Sequence, residues 1–244
     1  MKILCKLIMI FFLATVGTIC CVSASAVFLK WKDDIGGKVE YKELRSLVEL
    51  EPSTHEKELK ISKNIIETYL KEINPDYAAW LYIPGTTIDY PVVWPENNQV
   101  YLRRSFKWEK RSCGTLFFDS AVQPFTALNT VIHGHNMRSG EMFGSLKKYL
   151  DNDYWKKHQF VYLYARGDWK QYQIFSVYQI KNTDLEPYFY LFSTSKDFHE
   201  WVDCCMAKSM IQEQKAGEEI KEILTLSTCH GKEEKLIVHA ALIE

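Results

Sequence analysis

Three residues carry the chemistry this sequence has to offer. Cys229 closes the apolar, β-branched run Ile223-Leu-Thr-Leu-Ser-Thr228, after which the chain breaks into Gly231 and the charged Lys232-Glu233-Glu234. A thiol at the end of a strand is half open to solvent, and it attacks a carbonyl only as thiolate, so a nucleophilic Cys229 needs a base or a cation beside it. The base candidates stand far upstream in Asn129-Thr-Val-Ile-His133-Gly-His135-Asn-Met-Arg138, another apolar run that ends in polar loop residues. Imidazole titrates near neutrality and can both take and return a proton. Such a pair meets only through folding. A strand cysteine also serves as a small apolar core residue, so the pairing alone does not choose between the two roles. Alternation along a strand places Ser227 on the face of Cys229, and places His133 with His135 if the strand runs past Gly134. These histidines, Cys229 and His230 are ligand types that suit zinc, but their spacing matches no zinc signature. No metal or other cofactor is expected.

The elements that must position these residues are mostly strands. Short apolar runs separated by turn signals cover residues 78–83, 88–93, 114–119, 130–133, 160–165, 171–180, 223–228 and 235–243, which predicts an all-β domain over 76–244. Helical patches interrupt them at 142–150 and at 195–214, the second carrying Phe198, Trp201, Val202, Cys205 and Met206. Residues 30–75 are charged and helix-prone, with Tyr41, Leu44, Leu47 and Val48, then Leu59, Ile61, Ile65, Ile66, Tyr69 and Leu70, at near-helical spacing. Pro52 divides this stalk, and Ser53 or Thr54 is the expected cap of its second helix. Residues 1–29 open with Lys2 and Lys6 and then run uncharged from Leu7 through Leu29. A span needs about 20 apolar residues, so this is an anchor, or a signal peptide cut near Ala24-Ser25-Ala26, with the preceding lysines inside and the bulk of the chain outside.

Composition bounds the rest. A chain of 244 residues with 47% hydrophobic residues can bury one domain core plus accessories. A net charge of −1 without a basic cluster argues against nucleic acid as a partner. Of seven cysteines, Cys5, Cys20 and Cys21 fall in the apolar N-terminal stretch. The other four lack the spacing of a disulfide framework; free thiols are favoured, with a bridge from Cys113 to Cys204 or Cys205 left open.

Thr225-Leu-Ser-Thr-Cys229, Val131-Ile-His-Gly-His135-Asn-Met137 and Trp80-Leu-Tyr-Ile-Pro-Gly-Thr-Thr-Ile-Asp-Tyr-Pro-Val-Val93 together resemble the signature set of the sortases, specifically class B. Sortases are membrane-anchored cysteine transpeptidases of Gram-positive bacteria that join surface proteins to the cell wall. The resemblance implies a mainly-β fold, a closed eight-stranded barrel with an N-terminal helical extension and an extra helix before the cysteine strand. It implies Cys229 as nucleophile and His135 as general acid and base, with His133, where the family usually carries Tyr, in the pocket wall. It places Ser227, Asn98 and Leu102 along the substrate groove, although Asn98 can equally cap a turn and Leu102 belong to the core. The family arginine that holds the substrate and the oxyanion is missing, and Lys235 stands at its position. Either Lys235 substitutes for it, or Arg103, Arg104 or Arg138 swings in, or the protein is a weak or inactive homologue that binds sorting signals. The implied partners are surface proteins bearing a C-terminal Asn-Pro-x-Thr-Asn/Gly signal and an acceptor amine of peptidoglycan or a pilin. The implied location is the cell membrane, with the catalytic domain outside. A secreted cysteine peptidase or amidase is the rival enzyme, but it usually places cysteine before histidine in the chain.

Overall fold

The computed structural model describes residues 2–48, 66–211, 220–231 and 233–243. Eight strands close into one barrel: β1 (Tyr77–Tyr82), β2 (Asp89–Val93), β3 (Leu116–Phe118), β4 (Asn129–His133), β5 (Phe160–Ala165), β6 (Asp168–Lys181), β7 (Ile223–His230) and β8 (Glu234–Leu242). Their order around the barrel is β1-β2-β3-β4-β7-β8-β6-β5, with β5 paired back to β1. β2 with β3 and β4 with β7 run parallel; the other neighbours are antiparallel. All eight expected runs are strands; β6 and β7 extend beyond theirs.

β7 explains its own composition. Leu224 and Leu226 point into the barrel core beside Ile132, Leu236 and Val238. Ile223 on the other face packs under a second cluster made by Phe198, Trp201, Val202 and Cys205 with Ile237 and Tyr178. β7 is buried on both faces from Ile223 to Thr228, its outer positions beyond Ile223 being the small polar Thr225 and Ser227. The covering helix, α4 (Ser195–Ala207), starts at a capping box in which the Thr194 side chain accepts from the Asp197 N–H and the Asp197 side chain accepts from the Thr194 N–H. It ends earlier than the sequence suggests because the chain turns to bond β6, Met210 N–H donating to Val177 O at 2.8 Å and Val177 N–H to Ser209 Oγ at 3.2 Å. Residues 212–214 of the expected helix lie outside the described residues. The helical patch expected at 142–150 is a 3-10 helix, Phe143–Leu150. The short α3 (Asn152–Lys157) was not expected; its signal is Asp151, whose carboxylate accepts from the N–H groups of Asp153 and Tyr154.

The N-terminal segment is one helix, α1 (Lys2–Leu47), unbroken across residues 29 and 30. It is long and apolar enough in its first part to cross a membrane. Its last turns dock on the barrel through Tyr41, Leu44 and, just beyond, Val48, all buried. Leu47 falls off this stripe and is exposed. A side chain at Gly37 would sit 2.9 Å from Cys113 Sγ, and one at Gly36 would run into the Arg111 guanidinium, so two glycines in mid-helix let α1 approach closely. Residues 66–73 form α2, which buries Leu70 and leaves Tyr69 exposed. Pro52, the cap candidates Ser53 and Thr54, and Leu59, Ile61 and Ile65 lie outside the described residues.

Candidate functional site

Register sets the site. In the parallel pair β4 and β7, His133 is the partner of Ser227. In the antiparallel pair β7 and β8, Cys229 is the partner of Lys235, across the turn at Gly231, whose φ is +73°. Directly opposed residues share a face, as do i and i+2 on one strand, so His133, Ser227, Cys229 and Lys235 lie on one outer face of the barrel. Ser227 is buried and Cys229 is exposed.

His135 lies in the loop after β4, two residues past His133. Gly134 N–H donates to Ser227 O at 3.1 Å and Phe143 N–H donates to His135 O at 2.9 Å. Asn136 Nδ2 donates to Cys229 O at 2.7 Å, which ties the histidine loop to the cysteine strand. A Cβ at Gly134 would lie 2.4 Å from Leu116 Cδ2, so the loop closes onto the barrel only with glycine there. The His135 ring is fixed by Nε2, 2.6 Å from Leu102 O. A carbonyl only accepts, so Nε2 carries a proton and Nδ1 is the nitrogen open to exchange. Beneath the ring, Gly114 has φ +61°, and a Cβ there would lie 2.5 Å from Tyr101 O and 3.2 Å from His135 Cδ2. Tyr41 of α1 holds this glycine by donating to its carbonyl at 2.6 Å.

His133 is built into a wall. Its Nε2 lies 2.9 Å from Asp119 Oδ2, and its ring packs between Phe117 and Tyr188. Burial alone would raise the Asp119 carboxyl, but hydrogen bonds from His133, the Ala121 N–H and Asn98 hold it down at about 2. Asn98 also accepts from Ser120 N–H at 2.8 Å, so it pins the turn after β3. Leu102 packs partly buried on the core and meets the site through its carbonyl. The Tyr188 hydroxyl lies 2.8 Å from Ser227 Oγ, and Lys235 Nζ lies 4.8 Å from the centre of the Tyr188 ring. Beyond Tyr188 a groove of about 350 Å³ opens between β4 and the β6–β7 connection, lined by Asp119, Asn129, Val131, Leu185, Tyr188 and Phe189 among others.

Of the arginines considered, Arg104 lies over Trp108 and Arg103 and Arg138 are exposed. Lys235 is the cation in register with Cys229. His230 pairs with Glu234 in the ladder. No cluster of three His, Cys, Asp or Glu suited to a metal occurs among the described residues. The six cysteines described are free; burial pushes the thiols of Cys113 and Cys205 up to about 12. Sequence reasoning passed over Asp119, Asn136 and Tyr188. Asn136 adjoins His135 in the motif and was the readable one.

Comparison with known proteins places residues 81–243 in the Sortase domain family. Sortase B of Listeria monocytogenes is 32% identical over 183 residues, 71% of this chain and 72% of that protein. Sortase B of Staphylococcus aureus is 28% identical over 199 residues, 81% of this chain and 79% of that protein. The X-ray structure of a mutant form of Clostridium perfringens sortase B superposes with a TM-score of 0.76 at 33% identity, covering 84% of this chain and 97% of that one.

Proposed function

Since this chain belongs to the sortase family and is a class B sortase, a transpeptidase, we propose that Cys229 is its nucleophile, His135 its general acid and base, and Lys235 its oxyanion and substrate-positioning cation. Cys229 thiolate attacks the carbonyl carbon after the threonine of a C-terminal Asn-Pro-x-Thr-Asn/Gly signal, and the carbonyl oxygen takes the negative charge. Collapse breaks the C–N bond; the departing amine leaves with a proton from His135 Nδ1, and a thioester remains on Cys229. An amine of peptidoglycan or of a pilin lysine then attacks the thioester and gives its proton to His135. A new amide forms and the thiolate is regenerated. No metal or cofactor enters this chemistry.

The observation that carries the reading is the double tether of Cys229, by ladder register to Lys235 and by Asn136 to the loop of His135. Lys235 supplies one compact positive charge where an arginine would present a fork of parallel donors. Its place over the Tyr188 ring and beside Cys229 supports a role in holding the substrate. His133, Ser227 and Tyr188 form the groove wall, and the sorting signal lies along β4 and β7 with Asn98 and Leu102 at its border. The first part of α1 is the membrane anchor, with the N-terminus inside and the barrel outside. The enzyme sits in the peptidase class of hydrolases only in the sense that water can replace the amine.

Incubation with sorting-signal peptides, with and without an added amine, tests this. A transpeptidase gives the amide product only when the amine is present. A hydrolase gives the same acid in both. Binding without either product would make this chain a signal-binding homologue.

A further inference from the structure

α1 has no break between its apolar run and the turns that dock on the barrel. Residues 7–29 are uncharged, about 34 Å of helix, enough for a hydrocarbon core of about 30 Å. The first contact with the barrel follows at Asp33, whose Oδ2 accepts from Ser112 N–H at 3.0 Å. That is roughly one helical turn, or about 6 Å, past Leu29, and the polar headgroup layer is itself roughly 5–7 Å deep. A flexible tether would let the barrel float free of the bilayer. A continuous helix fixes its height.

Two loops meet α1 from this level up to Lys38, about 14 Å past Leu29. Arg111 and Cys113 pack against Gly36 and Gly37. Met137, Glu141 and Met142 share a crevice with Asp34, Gly37 and Lys38. The charges there are uneven. Lys30, Lys32, Lys38, Lys110 and Arg138 are exposed and have no acidic partner among the described residues. Asp33 is engaged by Ser112 and Arg111, Glu109 by Arg111, and Glu141 by Ser139, which leaves Asp34 as the one acid of these segments without a hydrogen-bond or ion-pair partner among the described residues. Trp31, 58% exposed, lies at the boundary where an amphipathic ring belongs.

We propose that the loop 110–113 rests in the headgroup layer of an anionic membrane with the loop 137–142 directly above it, and that α1 sets the height of the catalytic site over the bilayer. This rests on the reading of α1 as an anchor with the barrel outside. The second loop begins directly after His135 and Asn136, and Asn136 holds the Cys229 carbonyl. The site therefore opens close to the bilayer and suits peptides presented from the same membrane. Juxtamembrane basic residues favour anionic lipid, and that attraction fades within a Debye length, so it acts only if the edge lies at the surface.

The full chain, reconstituted in vesicles of phosphatidylglycerol and phosphatidylcholine, tests this. A fluorescent amino acid encoded at position 110 should be quenched by lipids spin-labelled at the headgroup, and one at position 46, farther along α1, should not. Inserting seven alanines between Lys30 and Trp31 adds about 10 Å of helix. It should abolish quenching at position 110 and slow cleavage of a lipid-anchored sorting peptide at least tenfold, while cleavage of the soluble peptide is unchanged. Equal quenching at 110 and 46, or an insertion that leaves the lipid-anchored rate unchanged, overturns the proposal. Release of the wild-type chain by alkaline carbonate overturns the anchor reading itself, and the proposal with it. Loss of soluble-peptide cleavage in wild type strikes the catalytic assignment instead, and quenching then decides the proposal alone.

Discussion

Acidification should loosen the strand that carries Cys229, and the size of the effect follows from one buried side chain. His239 on β8 is fully buried. Its Nδ1 lies 2.8 Å from Thr225 Oγ1, its Nε2 lies 2.9 Å from the Tyr178 hydroxyl, and Thr225 in turn donates to Asn129 Oδ1 at 2.6 Å. The neutral ring satisfies this chain: Nδ1–H donates to Thr225 and Nε2 accepts from Tyr178. Burial, and secondarily the Lys208 ammonium, push the imidazole down from 6.5 to about 3. The unfolded chain takes up this proton at higher pH than the folded one. The contribution to stability is therefore full above pH 6.5 and is lost as pH falls toward 3. Between pH 7 and 4.5 the linkage amounts to about 2.5 kcal/mol. Asp119, held at about 2, stays ionised over this window and adds nothing. The assay is urea unfolding of the detergent-solubilised chain at both pH values, for wild type and His239→Gln. Wild type should lose about 2.5 kcal/mol more than the variant on acidification. Should the variant fail to fold, the ring of His239 can be followed by NMR in wild type. Equal losses in the two proteins, or a His239 that titrates near 6.5, would mean that this ring does not govern the acid response.

Three further outcomes concern the site. Lys235→Ala should lower kcat/KM by about 100- to 1,000-fold, the cost of a lost oxyanion donor, while Lys235→Arg keeps activity; an alanine variant within threefold of wild type would make Lys235 an ordinary solvated residue. Gly114→Ala places a Cβ at positive φ against Tyr101 O and His135, so it should cost about 1–2 kcal/mol or more of stability and lower kcat with little change in KM; an unchanged kcat would separate this glycine from the placement of His135. Under limiting iodoacetamide, Cys229 should alkylate before Cys113 and Cys205, whose buried thiols are pushed up to about 12, and before the exposed Cys204, and it should lose that lead in His135→Ala; labelling of Cys204 at the same rate would count against an activated Cys229.

The barrel was legible because its strands are short apolar and β-branched runs bounded by turn residues, β7 among them. Helix α4 was legible from Phe198, Trp201 and Val202 on one stripe, but its end was not, since it is set by the pairing of Met210 with Val177. The stalk was harder to read. Charges after Leu29 mark an end of apolar character and not of helix, so α1 runs through them. At the site, Lys235 was named from the family motif, whereas its pairing opposite Cys229 comes from the register of the ladder. His135 could be named, but its hold by Leu102 O could not, because it depends on a loop folded beneath it at Gly114. Tyr188 was invisible for a similar reason: it belongs to no periodic run and gains its role only where the β6–β7 connection crosses Ser227.

The most direct measurement is a single-turnover reaction of the full chain with a sorting-signal peptide, quenched in acid and analysed by intact and peptide mass spectrometry. A thioester on Cys229, absent in Cys229→Ala, nearly absent in His135→Ala and discharged by added amine, is the expected result. A folded protein that binds the peptide yet forms no adduct on Cys229, or forms it equally well without His135, would contradict the mechanism.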